Sequence, residues 1–247
     1  MLITMSGIIG AGKSTLTEIL ANELGTQAFY ESVSDNPVLP LFYKGNEKIA
    51  KERAQGIEDT TNPYAYLLQT YFLNSRFHMI KKAMQDDNNI LDRSIYEDAI
   101  FMRMNYELGN TSQVEWDIYN DLLQNMLEEL PYAAHKKSPD LMVMVDVNYE
   151  TMLSRIEKRG REYEQIANDP SLVNYYHTLL RYYEDWKHEY DASELLVIDG
   201  NQLDFVGNQA DRRIVLETIE DKLFDLGKIT RSELQNYKEQ HEMEAAQ

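Results

Sequence analysis

The chain has 247 residues, 43% of them apolar, with 42 acidic against 24 basic side chains and no cysteine. That length suits one α/β domain with helical elaboration, and no stretch approaches the roughly twenty apolar residues of a membrane span. The net charge of −18 argues against wrapping nucleic acid, and the lack of cysteine excludes disulfides and thiolate zinc sites, which fits a reducing cytoplasm.

Residues 1–5 form a short apolar run suited to a buried strand. Gly7-Ile-Ile-Gly-Ala-Gly-Lys-Ser14 follows at once and fits G-x-x-x-x-G-K-[ST]. Leu16, Ile19, Leu20 and Leu24 then recur at helical spacing, with Gly25 as the stop. Strand, glycine-rich loop and helix in this order make a phosphate loop. Gly7, Gly10 and Gly12 let backbone N–H groups turn inward around a polyphosphate at a helix N-terminus. Lys13 reaches the outer phosphates, and Ser14 is placed to bind Mg²⁺. A core strand this close to the first residue leads us to expect no signal peptide ahead of the fold.

Residues 27–30 read as a second strand ending at Glu31, and Asp35-Asn-Pro and Leu39-Pro40 mark an irregular connection. The polar segment 44–62, with Gly45 and Gly56, reads as a surface excursion. A long helix is expected from Asn62-Pro63, with Tyr64, Leu67, Leu68, Tyr71, Phe72 and Met79 as its apolar stripe. Residues 89–92 form the next strand, with Arg93-Ser94 at its end, and helices are expected over about 97–108 and 114–130. The continuous apolar run 141–147 is the clearest core strand. A helix from Thr151 leads into an arginine-rich stretch at 155–161, a tyrosine-rich helix covers 172–190, and 195–198 is the last strand, followed by Asp199-Gly200-Asn201. A helix over 214–226 closes the domain, and 228–247 reads as a polar tail, frayed or disordered. The alternation implies a five-stranded parallel sheet flanked by helices on both faces.

Several residues beyond the loop carry chemistry. Glu31 ends a strand on the same sheet edge as the phosphate loop, where a carboxylate could accept a proton from an attacking hydroxyl, or simply be solvated. Asp92-Arg93 leaves a strand at that edge and suits Mg²⁺ and phosphate, or a structural ion pair. Gln69 and Arg76 share a helix face within an apolar stripe, where a base edge or an internal hydrogen bond would satisfy both, and Asp98 could pair with Arg76. Arg155 and Arg159 share a face and Arg161 follows a glycine, the pattern of a phosphate-stabilising lid over 155–170, although pairing with Glu157 and Glu162 would also account for them.

The segments 7–15, Tyr30-Glu31, 68–76, Asp92-Arg93-Ser94 with Tyr96 and Asp98, and Arg155-x3-Arg159-Gly-Arg161-x2-Glu164 occur in that order. Together they resemble the deoxynucleoside kinase family that includes deoxycytidine and deoxyguanosine kinases, especially its bacterial deoxyadenosine/deoxyguanosine kinase branch. The resemblance spans about 1–201 and implies a P-loop kinase domain over 1–227, with ATP as donor, Mg²⁺, a 2′-deoxynucleoside acceptor and a homodimer packed through helices. It implies that Gly7, Gly10, Ala11, Gly12, Lys13, Ser14 and Thr15 hold the donor phosphates, with Asp199 and Asn201 near the donor adenine. Glu31 would be the general base and Arg93 would hold the 5′-oxygen. Asp92 would place Mg²⁺ with Ser14, and Arg155, Arg159 and Arg161 would form the lid. Gln69 would pair with the base edge, the Arg76–Asp98 pair would suit a purine or cytosine, and Tyr43 and Glu164 would bind the 3′-hydroxyl. Two departures stand out: 44–62 looks like an insertion, and Tyr163 stands where many relatives carry an acid, which leaves Glu164 as the choice and Glu162 as the alternative.

A nucleoside monophosphate kinase shares the sheet and lid, but needs cationic groups at the acceptor phosphate, where this chain offers Glu31. A GTP switch reads guanine through Asn-Lys-x-Asp, and the chain has no such stretch.

Overall fold

The computed structural model describes residues 1–31, 36–133 and 138–245. Five strands, β1 (Leu2–Ser6), β2 (Gln27–Phe29), β3 (Asn89–Asp92), β4 (Leu141–Asp146) and β5 (Leu195–Asp199), pair in the order β2-β3-β1-β4-β5. Every pairing is parallel, as the alternating sequence predicts. β1 and β4 occupy central positions and are buried almost throughout, which is why both read as continuous apolar runs. The chain leaves β1 toward β2 and β3 on one side and takes β4 and β5 to the other. That reversal opens a crevice at the C-terminal ends of β1 and β3, the usual ligand position in an open α/β sheet.

Helix α1 (Lys13–Leu24) starts in this crevice and stops at Gly25, whose N–H donates to the carbonyls of Ala21 and Asn22 in a left-handed cap. Gly7 has a φ of +136°, and a Cβ there would sit 2.6 Å from the Val145 carbonyl oxygen. The loop can therefore pass over β4 only with glycine at this position.

Segment 44–62 differs from expectation. Helix α2 (Leu39–Ala54) takes up residues 44–54 of it and buries Gly45 and Ile49, while most of the segment stays exposed, so the surface position holds but the backbone is largely helical. Pro40 belongs to the first turn of that helix instead of an irregular connection, because a first-turn residue needs no N–H partner. Asn36 caps α2 by accepting from the N–H groups of Val38 and Leu39. Asp35, the start of the expected connection, lies outside the described residues.

Helix α3 (Ala65–Ala83) begins slightly later than Asn62-Pro63, but Asn62 still works at its start. Its side chain accepts from the Tyr64 N–H and donates to the Phe42 carbonyl, fastening α2 to α3. A 3₁₀ turn (Ile95–Glu97) leads into α4 (Asp98–Glu107), and α5 (Gln113–Ala133) follows. Residues of α3, α4 and α5, among them Leu73, Met102, Tyr119 and Leu123, form a second apolar cluster beside the main core.

Helix α6 (Tyr149–Arg159) is capped by Asn148 and ended by Gly160, and α7 (Leu172–Glu189) turns Tyr175, Tyr176, Tyr182 and Tyr183 inward. Helix α8 (Gln209–Asp225) closes the layer behind β5. The expected frayed tail is helix α9 (Arg231–Ala245), packed on α8. Ile229 before it lies in the main core and its Leu234 and Tyr237 pack against that core, anchors too few to stand out in a Glu- and Gln-rich sequence. Residues 246–247 of that tail lie outside the described residues.

Candidate active site

A cavity of about 370 Å³ opens at the C-terminal ends of β1, β2 and β3, within the range of small-molecule sites. The register pairs Met5 of β1 with Asp92 of β3, so the phosphate loop and Asp92 stand side by side. Lys13 enters the cavity from the first turn of α1 and donates to the Ile8 carbonyl at 2.9 Å. Burial and the Arg93 charge lower its pKa to about 7, despite the opposing pull of Asp92, Glu97 and Glu31.

The Ser14 hydroxyl donates to Asp92 Oδ2, while Asp92 Oδ1 is buried without a hydrogen-bond partner among the described residues. A hydroxyl beside an orphaned carboxylate oxygen, at the mouth of a phosphate loop, is a donor set that suits a hard divalent cation.

Glu31 lies just past β2, where its side chain is 12% exposed between two guanidinium groups. Its Oε1 accepts from Arg76 through Nε at 2.9 Å and through NH2, while Oε2 lies 3.4 Å from Arg93 Nε. Burial would push the Glu31 carboxyl up, but Arg76 and Arg93 outweigh it and hold it below the usual range.

Arg93 has a φ of +80°, a conformation bulky residues rarely adopt, with its N–H bonded to the Met5 carbonyl at 3.0 Å. This strained turn sends the side chain back into the site, where it donates to Glu97 and to the Tyr183 hydroxyl, each at 2.7 Å. Burial works against the Arg93 charge, yet Tyr183, Glu97, Glu31 and Asp92 keep it fully protonated.

Gln69 and Arg76, both on α3, are buried and line the same cavity. Asp98 ion-pairs with Arg76 but lies behind it, fully buried and outside the cavity lining. Asp98 therefore acts on the cavity through Arg76. Tyr43 and Glu164 line the cavity wall, and burial together with Tyr175 and Glu164 drives the Tyr43 hydroxyl pKa well up.

The three arginines expected to form a lid separate. Arg159 and Arg161 line the cavity and pair with Glu164. Arg155 points elsewhere and donates to the Ala11 carbonyl at 2.6 Å and the Gly200 carbonyl at 2.7 Å. It braces the phosphate loop against the turn after β5. Asp199 organises that turn by accepting from Asn201 and Gln202, and Asn201 accepts from the Asn148 N–H.

Glu97, Phe72, Phe101, Tyr175 and Tyr183 belong to the site, although the sequence marks none of them as a site residue and reads Phe72 only as part of an apolar stripe. Phe72 and Phe101 line the cavity beneath guanidinium groups, with Arg76 5.0 Å and Arg93 5.2 Å from the ring centroids. Glu97 is fully buried and also accepts from the Ser6 hydroxyl. Its four-residue spacing from Arg93 was the available signal.

The sequence profile of the family described as deoxynucleoside kinase matches residues 3–225. This chain belongs to the deoxynucleoside kinase family. It is 53% identical over 227 residues to a deoxyguanosine kinase of Lactobacillus acidophilus, covering 92% of both chains. A deoxyadenosine kinase of the same organism is 49% identical, over 92% of this chain and 98% of that one. Among solved structures, a deoxyadenosine kinase from M. mycoides with bound dATP aligns with a TM-score of 0.67 and 32% identity, over 90% of this chain and 99% of its own. The deoxynucleoside kinase family and the cavity thus agree on a nucleotide-handling enzyme with the P-loop kinase fold.

Proposed function

We propose that this deoxynucleoside kinase transfers the γ-phosphoryl group of ATP to the 5′-hydroxyl of a purine 2′-deoxynucleoside, giving the 5′-monophosphate. The observation that carries this reading is Glu31, an ionised carboxylate facing the same cavity as Lys13. A carboxylate there accepts a proton from an alcohol and repels an acceptor that already carries a phosphate, which disfavours a monophosphate kinase. Relatives named deoxyguanosine and deoxyadenosine kinase support the purine preference.

The bond made is from the 5′-oxygen to phosphorus, the bond broken links the β- and γ-phosphates, and the hydroxyl proton passes to Glu31. We assign that proton to Oε2, since Oε1 already accepts twice from Arg76. A carboxyl of depressed pKa is a weak base, but a loose phosphoryl transition state asks little of one and much of positioning. Arg93 holds the 5′-oxygen, with Glu97 and Tyr183 fixing its guanidinium. Lys13, Arg159 and Arg161 carry the charge of the transferring group. Mg²⁺, held by Ser14 and Asp92, supplies charge neutralisation to the donor phosphates when bound.

Gln69 and Arg76 take the base edge between Phe72 and Phe101, and Tyr43 with Glu164 takes the sugar 3′-hydroxyl. Asp199 and Asn201 shape the turn beside the donor base. The exposed Leu67, Val114 and Ile118 of α3 and α5 support a homodimer packed through these helices. No helix among the described residues is long and apolar enough to cross a membrane, and we place the reaction in the cytoplasm, where ATP is made.

The test is ADP release from ATP·Mg²⁺ with deoxyguanosine, deoxyadenosine, deoxycytidine, thymidine and dGMP as separate acceptors. Turnover on the purine deoxynucleosides is expected. Turnover on dGMP alone would overturn the assignment of Glu31.

A further inference from the structure

Glu23 of α1, Glu220 of α8 and His241 of α9 meet away from the kinase cavity, with Glu23 about 15 Å along α1 from Lys13. Glu220 and His241 are buried, and the Glu23 side chain is only 10% exposed. His241 Nε2 lies 2.9 Å from Glu220 Oε1 and 3.9 Å from Glu23 Oε1. One donor atom from each residue falls within 4.8 Å of the others.

The cluster is electrostatically incomplete. Two carboxylates face one imidazole, and all three side chains are largely withdrawn from solvent. Glu23 Oε1 and Glu220 Oε2 are buried with no hydrogen-bond donor among the described residues. Nearby cations are already engaged: Arg212 donates to the Phe205 and Val206 carbonyls, Arg213 pairs with Glu217, and Lys238 pairs with Asp221. Glu217 and Glu244 add negative charge around the cluster. A proton would satisfy a single oxygen, whereas a divalent ion satisfies both and balances the two carboxylates.

We propose that Glu23, Glu220 and His241 form a structural zinc site that pins α9 to α1 and α8. The donor set of one imidazole nitrogen and two carboxylate oxygens suits Zn²⁺ better than Mg²⁺ or Ca²⁺, which prefer oxygen alone. Donor atoms around a tetrahedral Zn²⁺ lie closer together than 4.8 Å, so a modest inward shift of these side chains completes the shell. His241 also lines a separate surface cavity with residues of α8 and Glu244 of α9, the side from which an ion would enter.

The test uses the full chain, stripped with chelator and dialysed, with Mg²⁺ in excess so that the Ser14–Asp92 position is occupied. Calorimetric titration with ZnCl₂ and thermal melting are read together, with deoxynucleoside phosphorylation as a separate assay. One equivalent of Zn²⁺ and a raised Tm are expected, with both lost in His241→Asn. Glu23→Gln, at the rim of the cluster, is the milder second variant, and zinc affinity is expected to fall by about tenfold or more. Both variants keep their kinase turnover, so failure here is distinguishable from failure of the proposed reaction. Equal zinc binding by wild type and both variants would overturn the site. So would a Tm that rises on acidification but ignores zinc, because that is the behaviour of a proton-filled cluster.

Discussion

Replacing Glu31 with Gln removes the proposed proton acceptor while keeping the shape of the side chain. The surroundings limit collateral damage. Arg76 keeps its ion pair with Asp98, and Arg93 keeps Glu97 and the Tyr183 hydroxyl, each at 2.7 Å. Removing the sole partner of a buried charge costs about 3–5 kcal/mol, and here each guanidinium loses one partner of several, so the stability loss should be smaller. The chemical step has no such reserve, because no other carboxylate oxygen stands where Oε2 does. A general base contributes about 10²–10⁴-fold, which is about 2.7–5.4 kcal/mol of barrier. Rapid-quench measurement of monophosphate formation in a single turnover, alongside calorimetric ATP binding and thermal melting, separates the terms. Turnover should fall by that factor with ATP affinity nearly unchanged. A variant within about threefold of wild type, melting normally, would refute the base assignment.

Other substitutions test the remaining parts. Arg76→Ala should broaden base choice if Arg76 meets the base edge as proposed, and equal losses on every acceptor would mean it is structural. The same change tests pH linkage: the depressed Glu31 carboxyl stays ionised until pH falls through its folded pKa, and its stabilising contribution is lost there too. Losing the Arg76 charge raises that pKa, so the acid limb of kcat/KM should move to higher pH; an unmoved limb would show that another group sets it. Arg159→Ala and Arg161→Ala should lower kcat by about 10²–10³-fold, whereas Arg155→Ala should chiefly raise the KM for ATP by loosening the phosphate loop. Identical kinetic signatures for the three would abolish that division. Deleting 228–247 removes Ile229 from the core and the Leu234 and Tyr237 side chains packed against it, and at about 1.5–3 kcal/mol per fully buried apolar side chain, a loss of about 3 kcal/mol or more should appear as a lower Tm. An unchanged Tm would show that α9 docks without stabilising the fold.

Local chemistry made much of this protein legible from its residues in order. The phosphate loop is read directly because its glycines, Lys13 and Ser14 act within one turn of chain, and β4 is read because a strand buried on both faces must be apolar throughout. The pairing of Arg76 with Asp98 and the convergence of Glu31, Gln69, Arg93 and Glu164 on one cavity were expected from motif order, and the folded chain brings them together.

Tertiary structure decided the rest wherever a residue's partner lies far away in sequence. Segment 44–62 looks like polar loop, yet residues 44–54 are helix because Phe42 and Tyr43 just ahead of it and Ile49 within it find a core that local composition does not reveal. The polar tail is a docked helix for the same reason. Arg155 shares a helix face with Arg159, but a rotation of little more than one turn sends one guanidinium to the backbone of Ala11 and Gly200 and the other into the cavity. The sequence carries the identity and spacing of charged groups, but where each charge is neutralised depends on which carbonyls and carboxylates folding brings within about 3 Å of it.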